Sequence, residues 1–103
     1  MKKLFSSDEL FELRNFIPIN MVIAEVLRMP SKVADGHFRF LCPRCNEFQT
    51  ATNASTNLAR CFCCRRNFNA IDLVMIVRNS GFVESATFLT DVLSQYRMRE
   101  VNR

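Results

Sequence analysis

Apolar positions in residues 1–36 recur with helical spacing. Leu10, Leu13 and Ile17 share one face of a short helix. Ser6 and Glu9 form a capping-box pair at its start, with Phe5 placed to staple onto Leu10. Pro18 ends that helix, since proline lacks the backbone donor and disfavours helix in the residue before it. A second helix is expected from about Asn20 until Pro30 stops it, with Ile23, Val26 and Leu27 inward and Glu25 and Arg28 outward. The period then shortens to two. His37-Phe38-Arg39-Phe40-Leu41 alternates as a strand does, and Phe48–Thr52 and Leu58–Phe62 are further strand candidates around the polar turn Asn53–Asn57. With only 2 glycines in the chain, the turns must rely on asparagine.

Helical pattern returns at Asn69. Ile71, Leu73, Val74, Met75, Ile76 and Val77 are apolar nearly all round, as in a buried helix, and Gly81 is placed for a left-handed cap. Ala86, Leu89, Val92, Leu93 and Tyr96 then mark one side of a last helix, which runs into a basic end of Arg97, Arg99 and Arg103 that is expected to fray. The pattern predicts an α+β fold in a single domain over residues 1–103. A helical lead-in (1–36) and two C-terminal helices (69–103) would flank a small antiparallel ribbon (37–68).

The chain's 103 residues allow one modest core, and 49% hydrophobic with 23% charged residues is the composition of a folding domain. No apolar run approaches the ~20 residues that span a bilayer. After Met1-Lys2-Lys3, the polar Ser6, Ser7, Asp8 and Glu9 leave no room for the apolar stretch of an export signal. A cytoplasmic, membrane-free protein is expected. In that setting 5 cysteines point to metal or redox chemistry before disulfides.

Their spacing narrows the choice. Cys42-Pro43-Arg44-Cys45 and Cys61-Phe62-Cys63-Cys64 are two Cys-x2-Cys knuckles with 15 residues between them, the arrangement that closes a tetrahedral site. Four thiolates suit one Zn²⁺ and leave no position open to substrate, so the site reads as structural. Four cysteines could also hold an iron–sulfur cluster. Cys63 breaks the symmetry of the knuckle and is left as a spectator thiol. His37 lies too far ahead of Cys42 for knuckle geometry.

Fourteen basic residues face ten acidic ones, and 11 of the basic residues are arginine, which suits bidentate phosphate contacts. Arg39, Arg44, Arg60, Arg65 and Arg66 fall on or beside the strands and knuckles, interleaved with phenylalanines. Arginines that grip phosphates beside aromatics that stack bases describe a single-strand binding surface, with Phe48 the favoured stacking residue. Alternatively, the phenylalanines build the core and the arginines offset the anionic metal centre.

Arg39 to Glu47, Cys61 to Cys64 and Asn69-Ala70-Ile71-Asp72 together resemble the N-terminal zinc-binding domain of bacterial and phage DNA primases. That family's pattern is Cys-Pro-x-His, a β hairpin, Cys-Phe-x-Cys and a glycine-bounded turn into an apolar helix. Phe82-Val83-Glu84-Ser85-Ala86 is similar to the family's Phe-x-Glu-Ala segment, one residue longer. The likeness covers roughly residues 37–93. Cys45 stands where the family has histidine, giving a four-cysteine variant, and Thr50-Ala51 replaces Pro-Ser. Cys63, Arg65 and Phe68 stand where glycines are usual.

The resemblance implies a DNA-binding module, an accessory to replication, priming or a mobile element, that helps a separate catalytic primase or helicase choose its start site. Catalysis by the chain alone is not expected. Phosphoryl transfer needs carboxylates converging on a metal, and the acidic residues after Asp72 are only Glu84, Asp91 and Glu100, scattered along helical positions. Two other classes remain. One is a protein–protein adaptor docking through Val22, Met29 or Met98; the other is a redox or zinc-responsive switch resting on Cys63.

Overall fold

The computed structural model, which describes residues 4–101, combines helices with two small antiparallel sheets, one of two strands and one of three. The fold is α+β, as expected. Helix α1 (Ser7–Asn15) starts at Ser6, whose hydroxyl accepts from the Glu9 N–H while the Glu9 carboxylate accepts from the Ser6 N–H, both at 3.1 Å. Phe5 and Leu10 pack against the core, as a staple would.

The second helical segment departs from the expected α-helix. One α-turn, α2 (Ile19–Met21), passes into a π-turn (Val22–Val26) closed by a 2.9 Å bond from the Leu27 N–H to the Val22 carbonyl. The wider turn brings Val22 inward beside Ile23, so both are fully buried while Val26 and Leu27 are only half-buried. Met29 is buried as well. Val22 and Met29 are therefore core residues, which corrects their reading as docking residues. Met98 is exposed.

Residues 31–34, read as part of the lead-in, form strand β1 (Ser31–Ala34) against β2 (His37–Phe40). The two-residue turn between them is Asp35-Gly36, both at positive φ (53° and 77°), the combination a primed hairpin turn requires. The second sheet has the order β3 (Thr50–Asn53), β4 (Leu58–Cys61), β5 (Arg66–Phe68). Thr50 joins the two sheets. Its buried hydroxyl accepts from the Phe40 N–H at 2.9 Å and donates to the Phe40 carbonyl at 2.7 Å, doing for β2 and β3 what a ladder pair would do.

Helix α3 (Ala70–Arg78) begins with a second capping box, Asn69 with Asp72. It ends two residues earlier than Gly81 suggests, because Asn79 takes the left-handed conformation at φ 51° and the Ser80 N–H closes onto the Met75 carbonyl. Helix α4 (Phe82–Val101) packs with α1 and α3. Its basic end is helical through Val101. Arg97 donates to Glu12 at 2.7 Å and lies 4.6 Å from the Phe16 ring centroid, while Phe16 meets Tyr96 edge-on. Arg103 lies outside the described residues, as do Lys2 and Lys3. No described helix is long and apolar enough to cross a membrane.

Asn57, at the end of the β3–β4 turn, ties that turn to the helices. Asparagine tolerates its left-handed backbone (φ 55°). Its side chain accepts from the Ile19 N–H at 2.8 Å and donates to the carbonyls of Arg14 and Ile17 at 2.8 and 3.0 Å. One buried amide thus caps the end of α1 and the start of α2.

Candidate metal centre

The first knuckle follows β2 and the second is itself the turn joining β4 to β5, so the two sheets hold the cysteine pairs face to face. The sulfurs of Cys42, Cys45, Cys61 and Cys64 all lie within 4.8 Å of one another. Cys42 Sγ is 3.8 Å from Cys64 Sγ, and Cys45 Sγ is 3.6 Å from Cys61 Sγ. A single tetrahedral ion with bonds of about 2.3 Å spaces its sulfurs about 3.8 Å apart, so the four residues fit one ion of that size. All four expected ligands converge; Cys63 is exposed and outside the group. Among the described residues, no other group of three or more histidine, cysteine or acidic side chains could hold a metal.

The backbone prepares the site for negative sulfur. The Arg44 N–H points at Cys42 Sγ (3.5 Å) and the Cys64 N–H at Cys61 Sγ (3.3 Å). The residue after each knuckle, Asn46 and Arg65, is left-handed at φ 60° and 56°. Arg65 thus takes a conformation that favours glycine and carries its guanidinium there. A non-glycine residue there costs on the order of 1 kcal/mol. Arg65→Gly should therefore raise stability by about 1 kcal/mol in a thermal melt. A loss of stability would mean that the Arg65 side chain holds the knuckle.

Without a cation, the four sulfurs cannot share negative charge. Burial pushes the Cys42 thiol up despite the N–H groups aimed at it. At Cys64 the neighbouring Cys45 thiol, then burial and the other two thiols, push the value up to about 12. Burial acts in the same sense on Cys61, but the Cys64 N–H and the three neighbouring thiols outweigh it, and Cys61 is lowered. Cys61 thus ionises more readily than an ordinary thiol, and Cys42 and Cys64 less readily.

The arginines divide into two groups. Arg39 donates to the Thr50 carbonyl and Arg60 to Asn67 Oδ1 (3.1 Å), so each is tied to the ribbon and half-buried. Arg44, Arg65 and Arg66 are exposed. Because Cys42 and Cys64 nearly touch, Arg44 and Arg65 belong to the same end of the ribbon. Phe48 is half-buried, with the Lys32 ammonium 4.5 Å from its ring centroid. Phe62 is 51% exposed.

Charge is distributed unevenly along the chain. Residues 37–68 carry five arginines and one acid, Glu47. Residues 1–36 carry five cations against five acids, and residues 69–103 four against four. The formal +4 therefore resides entirely in the ribbon. Comparison with protein-family models, with curated proteins and with solved structures gave no match.

Proposed function

We propose that the chain is a zinc-ribbon module that binds single-stranded DNA at the knuckle end of the ribbon, as an accessory to a separate catalytic primase or helicase. The observation that carries this reading is the confinement of the net charge to the ribbon, with Arg44, Arg65 and Arg66 exposed beside the metal ligands. Four thiolates and one dication subtract two charges, which leaves the ribbon still positive. Zn²⁺ on Cys42, Cys45, Cys61 and Cys64 accords with the donor set and the sulfur spacing. The ion would be structural, since four thiolates leave no open position for water or phosphate. The primase-like motifs around both knuckles support the DNA reading and the role beside a catalytic partner. The chain itself would carry no phosphoryl-transfer chemistry.

Salt titration of binding to a labelled single-stranded oligonucleotide tests the proposal. Each phosphate contact on a single strand contributes about 0.7 to the slope of log affinity against log salt. Replacing Arg65 and Arg66 together by alanine should flatten the slope by roughly one unit or more. Alanine at Arg97 and Arg99 should leave it unchanged, since Arg97 is engaged by Glu12 and Phe16. An unchanged slope in the first variant would move the binding face elsewhere. No affinity at low salt would favour the adaptor reading, for which Met98 is the remaining exposed candidate.

A further inference from the structure

We infer that Phe62 is the platform on which one unpaired base of the bound strand stacks; the inference rests on the nucleic-acid reading of this same end of the ribbon. A single exposed phenylalanine is ordinary on a protein surface, and exposure alone would carry nothing. Four features set Phe62 apart. It lies inside the second knuckle, between the ligands Cys61 and Cys64, and its N–H is bonded to the Gln49 carbonyl at 2.9 Å, so its backbone is fixed from both sides. The Arg60 guanidinium, held by Asn67, sits 5.7 Å from the ring centroid and braces the ring. The exposed cations Arg65 and Arg66 follow directly in the chain, and Arg44 stands on the facing knuckle. Half of the side chain is nevertheless open to solvent.

A fixed aromatic face beside phosphate-gripping cations is the arrangement that holds single strands, because every base has a π-face and only an unpaired one can lie on a ring. The other phenylalanines fit less well. Phe48 is half-buried, and Phe16, though 46% exposed, meets Tyr96 edge-on in the charge-balanced first third of the chain. Phe11 and Phe82 are exposed, but on helices in the charge-balanced parts of the chain. The stacking residue thus moves from Phe48 to Phe62. The same geometry gives the module a reason to prefer single strands over duplex, in which every base is already stacked.

The chain contains no tryptophan, so Phe62→Trp places a sole indole at the proposed platform. Its emission should be quenched when a short oligothymidylate is added to the metal-loaded protein. Phe62→Ala should weaken binding of that oligonucleotide about tenfold, the scale of one lost base–aromatic stack. Phe62→Leu should behave like the alanine variant, since it keeps apolar bulk but has no π-face. On an abasic oligonucleotide of equal length, wild type and Phe62→Ala should bind alike. Metal content and melting temperature should not change in any of the three variants, because the side chain is exposed.

If Phe62→Ala binds both oligonucleotides as wild type does while the salt slope persists, the stacking assignment is overturned and the phosphate-binding reading stands. If wild type binds neither oligonucleotide at low salt, the nucleic-acid reading fails and the assignment fails with it. A tenfold loss on both oligonucleotides would also overturn stacking, since the abasic strand offers nothing to stack.

Discussion

Cys61→Ser should release the metal and unfold the ribbon, whereas Cys63→Ser should keep both. Cys61 and Cys42 are fully buried members of the main core, beside Phe40 and the sheet-joining Thr50. The metal would therefore clasp the sheets to the same core that seats the helices. Structural zinc contributes on the order of 10 kcal/mol or more to the folding of such sites, which exceeds the whole stability of many small domains. Cys63, one residue from Cys64 but exposed and outside the sulfur cluster, contributes none of this. Metal analysis together with far-ultraviolet circular dichroism, before and after a chelator, measures both variants. If Cys63→Ser lost metal as readily as Cys61→Ser, the ligand set would be wrong.

The same site makes metal affinity depend on pH in a definite direction. In the metal-free chain, Cys42 and Cys64 hold their protons more tightly than an ordinary thiol. A metal that binds thiolate must displace those protons, so its apparent affinity rises with pH through the neutral range and falls in acid. Proton release on titration with zinc in weak buffer, at more than one proton per ion, is the matching calorimetric signature.

How much of this was legible in the sequence follows the range of the interaction involved. Capping boxes are local, and Ser6–Glu9 and Asn69–Asp72 both stand where the residues place them. The ligand set was legible because two short knuckles each bring two sulfurs together before any tertiary contact is considered. Strand β1 carried a short-range signal, Asp35-Gly36 between Ser31–Ala34 and His37–Phe40, which helical periodicity upstream obscured. Strand β5 carried almost none; it is three residues long and exists because the second knuckle doubles as a hairpin turn. The π-turn was illegible for a different reason. Local pattern allows an α-helix through Val26, and the demand that Val22 and Ile23 both be buried comes from the rest of the core.

Asn57 is the clearest case of a residue whose role only the fold reveals, since the groups it binds are 38 to 43 positions away. In the sequence it is the last residue of a polar turn. In the fold its amide accepts from one backbone N–H and donates to two backbone carbonyls, and it is 7% exposed. Asn57→Asp should be among the most destabilising loop substitutions available. The aspartate keeps the acceptor for Ile19 and tolerates the left-handed backbone, so neither backbone strain nor volume changes much. The donor, however, becomes an oxygen facing the carbonyls of Arg14 and Ile17, leaving two acceptors unsatisfied against a third. Each unsatisfied buried partner costs about 1–3 kcal/mol, so a total of about 3 kcal/mol or more is expected. For a domain of this size that lowers the melting temperature by about 15 °C. Asn57→Gly, which suits the backbone but leaves all three partners without their bond to this side chain, should destabilise by at least a comparable amount. Metal content per folded molecule should be unchanged in both, because Asn57 touches the helices and not the knuckles. Thermal melts of the zinc-loaded proteins decide the matter, and an aspartate variant as stable as wild type would show that the turn does not hold the helices in place.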